Sequence, residues 1–376
     1  MRKSSPPPRR LRKPPAGLPL RERTANLLTR WWRNRQLGAT PSHAQPQLSL
    51  ALQGGGAHGA FTWGVLDALL QDPRLDFEAI SGSSAGAMNA VVMAHGWMQG
   101  GREGARVALA DFWSEVGKQI PASMVSHGNG DGISLSPATK LLASWAGMFS
   151  PGNLNPMSIN PLRGLLHKQI DFPALRKRSP FKLFVGATQA NTGMLRLFRE
   201  HELTLDMLLA SACLPRIHPT VEIEGQPYWD GGFAANPAVF PLVHGTQGRD
   251  VLLVLLAPHR HRETPRNPDE IDERMRELGF TTHFLREMQM FARTVAMASD
   301  SHQPLSGLER RLMALRFHMI DTELAVMQRS ETKLLAHTPF LEMLRDQGRE
   351  QGTRWLQTHA DAVGARGTVD LAQWLV

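Results

Sequence analysis

A short segment in the first quarter of the chain contains the residue types that nucleophilic acyl chemistry requires. It reads Gly82-Ser-Ser-Ala-Gly86, so that Ser84 is the middle residue of a Gly-x-Ser-x-Gly pattern. Glycines two residues before and after a serine allow a sharp strand-to-helix turn that exposes its hydroxyl. The helix that follows directs its free N–H groups at that hydroxyl. The pattern therefore predicts that Ser84 is a nucleophile.

A second glycine-rich segment precedes the first and could supply hydrogen-bond donors to the same reaction. It reads Gln53-Gly-Gly-Gly-Ala-His-Gly59 and follows a short apolar run. We expect free backbone N–H groups at Gly54, Gly55 and Gly56, which suit an anion, either a phosphate or the oxyanion of a tetrahedral intermediate. A nucleophile beside an oxyanion site is the minimal equipment for acyl transfer.

Nucleotide binding is the main alternative for these glycines. Gly54-x-Gly56-x-x-Gly59 fits a dinucleotide-binding loop, but that loop requires an acidic residue at the end of the second strand. Here that strand ends in the serine-rich residues 81–84, and Asp76 lies before the strand. A phosphate-binding P-loop would continue with Gly-Lys-Ser or Gly-Lys-Thr, whereas Gly59 is followed by Ala-Phe. The two segments together, each placed between a strand and a helix, favour acyl transfer.

A serine nucleophile needs a base, and Asp230 is the best-placed candidate. It stands in the turn Trp229-Asp-Gly-Gly232 after a predicted strand, where the glycines expose its carboxylate; the alternative is an ordinary Asp-Gly turn. A downstream histidine, in the chain order of the α/β-hydrolases, is the rival base. That fold needs several strands before its nucleophile, and here only one strand precedes the strand that ends at Ser84. None of those histidines follows a clear strand in a glycine-rich turn.

Two polar neighbours of these segments are candidate substrate contacts. Ser83 adjoins the nucleophile, and His58 lies within the first glycine segment. For His58 a structural role at a helix start is the alternative.

Hydrophobic periodicity predicts the elements that position these residues. The predicted strands are 48–52, 76–80, 181–188, 193–198, 222–228, 250–257 and 315–320. The predicted helices are 60–71, 85–97, 105–116, 160–166, 203–212, 269–278, 308–315 and 330–360, with helical spacing also over 280–295. The continuous apolar run at 250–257 is typical of a strand that is covered on both faces. Residues 117–160 form an insertion that we interpret as a lid, an acyl-chain wall or an ordinary surface excursion.

Taken together, the motifs resemble those of the patatin-like phospholipases. The segments 53–59, 82–86 and 230–232 occur in the family's order, and Ala210-Ser-Ala-Cys-Leu-Pro215 resembles the block before its catalytic acid. Gln53, His58 and the second glycine after Asp230 depart from many members. The resemblance covers residues 47–260 and implies a three-layer α/β/α fold with a mostly parallel central sheet. It also implies a Ser84–Asp230 dyad without a catalytic histidine, an oxyanion hole from Gly54, Gly55 and Gly56, and no cofactor or metal.

The resemblance leads us to expect a lipid acyl hydrolase of the phospholipase A or lysophospholipase type, which acts through an acyl-enzyme on a phospholipid or another acyl ester. The same dyad could instead act on a storage polyester or a thioester. A non-enzymatic, membrane-associated module is the alternative of a different class. Oligomeric state is left open.

Charge is distributed unevenly and separates a tail from the body of the chain. Residues 1–46 hold 11 of the 42 basic residues and one of the 34 acidic residues, Glu22, which leaves 31 basic and 33 acidic residues elsewhere. Prolines predict a disordered tail over 1–46. Within it, residues 21–36 carry Leu27, Leu28, Trp31 and Trp32 among arginines, a composition typical of a membrane-surface helix. A helix docked on the body and a plain linker are the alternatives, and nucleic-acid binding is disfavoured because the body is near neutral.

Length and composition complete the expected organisation. The 376 residues predict the tail, a catalytic domain over 47–262 and a mainly helical extension over 263–376 that packs on the core. The single cysteine, Cys213, excludes an intramolecular disulfide and indicates a reducing compartment. There is no apolar run long enough for a transmembrane helix and no recognisable secretory signal, so we expect a cytoplasmic protein, peripheral at the membrane if residues 21–36 bind there.

Overall fold

The computed structural model describes residues 46–119, 125–127, 133–135, 160–257, 264–322, 324–328 and 330–375. The strands are β1 Gln47–Leu52, β2 Asp76–Ser83, β3 Val125–His127, β4 Ile133–Leu135, β5 Lys182–Gln189, β6 Leu195–Arg199, β7 Val221–Ile223, β8 Gln226–Asp230, β9 Asp250–Val254 and β10 Arg316–Ile320. The α-helices are α1 Gly59–Gln71, α2 Ala85–Gly117, α3 Pro161–Gln169, α4 Phe172–Arg178, α5 Leu205–Ser211, α6 Phe240–Gly245, α7 Pro268–Asp300, α8 Gly307–Ala314 and α9 Thr338–His359. Short 3₁₀ turns include Gly56–His58, Gly231–Phe233 and Ser330–Leu334.

One mixed, mostly parallel sheet forms the centre of the fold. Its strand order is β10-β9-β1-β2-β5-β8-β7, with β6 also paired to β5. The strands from β10 to β5 are parallel, whereas β6, β7 and β8 pair in antiparallel fashion. Because parallel strands end at the same edge of a sheet, the segments after β1 and β2 meet there. The strand predicted over 315–320 is confirmed as β10.

Side chains alternate between the two faces of the sheet along each strand. Helices cover both of these faces. Leu48, Leu50 and Leu52 of β1 are fully buried on the face covered by α1, α2 and α9. Ala51 of β1 and Val251 of β9 are buried on the opposite face, with α6, α7 and α8. The expected three-layer α/β/α architecture is confirmed.

The helix after the Ser84 turn is interrupted where two glycines meet. Helix α2 continues from Ala85 to Gly117, but Gly100 and Gly101 have non-helical dihedral angles, and φ of Gly101 is 60°. The sequence predicts two helices here, over 85–97 and 105–116, and the interruption lies between them. Glycine tolerates a positive φ that other residues rarely adopt.

The C-terminal third contributes to the same body as the motifs. Strand β10 extends the sheet, and α9 packs on α1 through glycines: a Cβ atom on Gly348 would lie 2.0 Å from the Phe61 carbonyl oxygen. The described residues from 46 to 375 belong to one compact unit. The domain division at residue 262 stays a prediction.

Several predictions fall outside the described residues. These are the basic tail over 1–46, except for Pro46, its amphipathic helix over 21–36, and almost all of the insertion over 117–160. Among the helices that are described, none combines the length and apolar character needed to cross a membrane.

Candidate active site

Ser84 lies in a strained turn between β2 and α2. It has φ 54° and ψ −127°, a left-handed conformation that non-glycine residues rarely adopt. Its N–H group donates to the carbonyl oxygen of Ser211 at 3.1 Å and to the hydroxyl of Ser211 at 3.0 Å. A Cβ atom on Gly86 would lie 2.2 Å from the Leu52 carbonyl oxygen, so only glycine fits there. The Gly-x-Ser-x-Gly segment therefore forms the predicted strand-to-helix turn, with Ser84 at the start of the helix.

Asp230 ends strand β8 and is almost fully buried. One carboxylate oxygen accepts the N–H group of Gly232 at 2.7 Å. Burial raises the pKa of Asp230 to about 6, although the Gly232 N–H group and the nearby Ser84 side chain lower it in part. Near neutral pH the carboxylate is therefore ionised and more basic than an exposed aspartate.

Strand β5 separates the strands that carry the two residues, so the Asp230 turn must cross it to reach Ser84. Ser83 pairs with Gly186 in the sheet, and the next residue of β5, Ala187, pairs with Asp230. A Cβ atom on Gly231 would lie 2.1 Å from the Gly186 carbonyl oxygen, and one on Gly186 would lie 2.7 Å from the Ser83 hydroxyl. The absence of both side chains lets the turn pass close over β5.

The glycine loop, defined as Gly54, Gly55 and Gly56, follows β1 and lies against the nucleophile. A Cβ atom on Gly54 would be 2.8 Å from the Ser84 Cβ atom. The Gly54 N–H group donates to the Asn236 side chain at 2.6 Å, so it is engaged within the protein. For the N–H groups of Gly55 and Gly56, no acceptor exists among the residues that the structure describes. Among the residues described, the N–H groups of Gly55 and Gly56 are therefore the ones left to donate, and the role of the loop as an oxyanion hole stays a prediction.

The two predicted substrate contacts are engaged in the protein interior. The Ser83 hydroxyl is buried and donates to the Ala235 carbonyl oxygen at 2.7 Å. His58 is fully buried, and its Nε2 atom lies 2.8 Å from the Thr332 hydroxyl. Burial, together with the charge of Lys333, lowers the pKa of His58 to about 3. This geometry favours the alternative interpretation of His58, a structural role at a helix start, and gives Ser83 a structural role as well.

Three further residues hold the site together, and the sequence assigned none of them this role, although Gln53 opens the glycine segment. Asn236 binds Gly54, Ser211 binds the Ser84 N–H group, and the Gln53 side-chain oxygen accepts the N–H groups of Leu256 at 2.5 Å and Ala257 at 3.1 Å. Each pairing joins segments more than a hundred residues apart. The only local signals were an Asn-Pro step after the Asp-Gly-Gly turn and a serine within the block 210–215.

Within the described ranges, no group of three or more His, Cys, Asp or Glu side chains is arranged to hold a metal ion. The site thus consists of a serine, a buried carboxylate and backbone donors.

Comparisons with known proteins agree with this arrangement at the level of the family. A model of the patatin-like phospholipase family matches residues 50–243, which is just over half of the chain. The crystal structure of VipD from Legionella pneumophila is a structural neighbour with 16% sequence identity, covering 85% of this chain and 68% of that chain. The TM-score of this match is 0.37. No curated protein matches the chain.

Proposed function

The chain belongs to the patatin-like phospholipase family, and on that premise we propose that it is a serine lipid acyl hydrolase with Ser84 as its nucleophile and Asp230 as its base. Family membership supports hydrolysis of lipid acyl esters. The finer assignment of roles rests on the geometry around these two residues.

The contact between Ser84 and Asp230 carries the proposal. A serine in a strained turn lies beside a buried carboxylate whose pKa is raised to about 6. A general base is most effective when its pKa lies near the working pH, because it is then both ionised and basic. A histidine is not required, since Asp230 itself accepts the proton.

The proposed reaction has two stages with one proton acceptor. Asp230 takes the hydroxyl proton of Ser84 while the oxygen attacks the ester carbonyl. The N–H groups of Gly55 and Gly56 stabilise the tetrahedral oxyanion. Protonated Asp230 then gives its proton to the leaving alcohol, which leaves an acyl group on Ser84. In the second stage Asp230 takes a proton from water while the water oxygen attacks the acyl-enzyme carbonyl. Protonated Asp230 then returns the proton to Ser84 Oγ as the carboxylic acid leaves.

Substitution of the two residues tests the proposal with a chromogenic short-chain ester. We expect Ser84→Ala and Asp230→Asn each to lower kcat by at least about 10³-fold, because each removes a group that acts in the transition state. Ser114→Ala and Asp111→Asn, at exposed positions on α2, are matched controls that should retain wild-type turnover. Near-wild-type turnover in folded Ser84→Ala or Asp230→Asn would refute the dyad.

The acyl substrate within this class is a separate question. Phospholipids, lysophospholipids, storage polyesters and thioesters all present the carbonyl that the dyad would attack. A screen of the purified protein against a lipid extract, with Ser84→Ala as the blank, identifies the ester that is consumed.

A further inference from the structure

We propose that Asn236 is a positioning residue that orients the oxyanion donors of the glycine loop. The inference rests on the proposed acyl hydrolysis, because it assigns Asn236 a role in stabilising the intermediate of that reaction. Asn236 lies in the segment 231–240, here called the base strap, which follows Asp230 directly.

The side-chain amide of Asn236 makes two hydrogen bonds to Gly54, one to its N–H group and one to its carbonyl oxygen. Its Oδ1 atom accepts the Gly54 N–H group at 2.6 Å, and its Nδ2 atom donates to the Gly54 carbonyl oxygen at 3.2 Å. Asn236 is 3% exposed and Gly54 is half-buried, so both bonds are partly shielded from competing water. Charge-neutral hydrogen bonds of this kind are costly to break when a buried group is left unpaired.

The bond to the Gly54 carbonyl oxygen determines where the Gly55 N–H group points. Both groups belong to the same peptide unit, which is planar and trans, so the N–H group points opposite to the carbonyl oxygen. With the carbonyl held towards Asn236, the Gly55 N–H group is held facing away from Asn236. Glycine has wide backbone freedom, so the loop would otherwise sample other orientations of this peptide.

The base strap gives Asn236 a rigid support. Its anchors are the side chain of Gln53, which directly follows β1, and side chains from β2 and α7, and they engage both halves of the strap. The hydroxyls of Ser83 and Ser81 donate to the carbonyl oxygens of Ala235 and Ala238, each at 2.7 Å. The Gln53 amide donates to the Asn236 carbonyl oxygen at 3.4 Å. The Glu287 carboxylate accepts the N–H groups of Val239 and Phe240. Asn236 thereby couples the strap that begins at the base to the loop that binds the oxyanion.

A residue that positions oxyanion donors can be told apart from a purely structural residue by changing the substrate atom on which the negative charge develops. Only the positioning residue has an effect on the rate that depends on this atom. Sulfur accepts hydrogen bonds weakly, so a thionoester, in which sulfur replaces the carbonyl oxygen, gains little from an oxyanion hole. An enzyme with well-placed donors therefore prefers the ester strongly. Misplaced donors reduce this preference, whereas partial unfolding lowers both rates equally.

The experiment compares matched chromogenic ester and thionoester substrates in the wild type, Asn236→Ala and Asn236→Asp. We expect Asn236→Ala to lower kcat for the ester by about 10²-fold with KM little changed, and to lower the ester-to-thionoester preference by at least about tenfold. Asn236→Asp conserves the side-chain volume and the acceptor for the Gly54 N–H group but cannot donate to the Gly54 carbonyl when ionised. It should lose the preference as well, and it serves as the test if Asn236→Ala does not fold.

Thr246→Val is the stability control, because it removes the buried hydrogen bond from the Thr246 hydroxyl to the Leu242 carbonyl oxygen, outside the base strap and the glycine loop. It should lower the melting temperature but leave the ester-to-thionoester preference at the wild-type value. Equal loss of both substrates in the Asn236 variants, or no loss, would overturn the inference while the proposed function stands. A wild type that hydrolyses no ester would overturn both together.

Discussion

A buried carboxylate beside a serine must stay ionised to act as a base, and at Asp230 burial opposes that requirement. Burial raises its pKa to about 6, and the Gly232 N–H group and the nearby Ser84 side chain limit the rise. The same burial makes Asp230 a stronger base and makes its ionised form less stable in the fold. At the residue scale, catalysis and stability therefore respond to pH in opposite directions.

We expect kcat/KM to rise with pH through a single limb near pH 6 and to stay level above it. The base works only when deprotonated, and the limb in kcat/KM reports its pKa in the free enzyme. A pH profile with a chromogenic ester measures the limb. A limb near pH 4 would mean that Asp230 is not desolvated in solution, and activity without any acidic limb would exclude it as the base.

We expect Asp230→Asn to unfold less readily than the wild type above pH 6. The pKa of Asp230 is higher in the folded than in the unfolded chain, so the folded state binds more protons between about pH 4 and pH 6 and loses stability as pH rises. Asparagine removes this penalty, so the free energy of unfolding should increase by roughly 1–3 kcal/mol at pH 8. Urea unfolding measures it, and at pH 4 the two proteins should differ much less. A variant less stable than the wild type at pH 8 would contradict this account.

The residues to which we assign the proposed chemistry could be singled out because their signals are local. Ser84 and Asp230 stand in glycine-rich turns whose spacing is visible in the sequence. Asn236 could not be predicted, because its partner Gly54 lies 182 residues away and the pairing depends on the fold. For the same reason, the sequence does not reveal that the Gly54 N–H group donates to the Asn236 side chain.

At the scale of elements, the site depends on how closely the Asp230 turn approaches strand β5. The proposed base comes from the end of β8 and the proposed nucleophile from the turn after β2, with β5 between them. Gly186 and Gly231 leave the space for this crossing. The sequence predicts the strands over 181–188 and 222–228, but their adjacency comes from the sheet order, which hydrophobic periodicity does not specify.

We expect Gly231→Ala to lower kcat by about 10²-fold, because a shift of about 1 Å in a catalytic group has an effect of that size. The added Cβ atom would lie 2.1 Å from the backbone oxygen of Gly186, so the turn that carries Asp230 must move. Gly164→Ala, on α3, is the control, since its added Cβ atom meets nothing within 4 Å. Turnover and circular dichroism of both variants provide the test. Wild-type kcat in Gly231→Ala would show that the crossing is not tight.

At the scale of the whole molecule, the C-terminal third supports the elements that carry the site. Thr332 binds His58, and the Lys333 carbonyl oxygen would lie 2.3 Å from a Cβ atom on Gly56. The Phe280 ring of α7 lies 4.6 Å from the Phe233 ring, beside the Asp230 turn. The sequence predicts this region as a helical extension without a role. Its contacts with the glycine loop are long-range pairings that periodicity cannot reveal.

We expect Gly348→Ala to destabilise the whole body by about 1–3 kcal/mol, because overpacking a close helix contact forces the backbones apart. The added Cβ atom would lie 2.0 Å from the Phe61 carbonyl oxygen on α1. Gly279→Ala, at an open position on α7, should instead be neutral or stabilising by up to about 1 kcal/mol. Thermal unfolding measures both. Equal melting temperatures would show that α9 is not packed on α1 in solution.

The central claim is that Ser84 is acylated with Asp230 as its base, and covalent trapping tests it most directly. The wild type, Ser84→Ala and Asp230→Asn are treated with a fluorophosphonate, and intact mass and peptide mapping locate the adduct. The account predicts one adduct per chain on Ser84 in the wild type, none in Ser84→Ala, and labelling slowed by at least about 10²-fold in Asp230→Asn. An unlabelled Ser84 in the folded wild type, or an adduct on another residue that persists in Ser84→Ala, would contradict it.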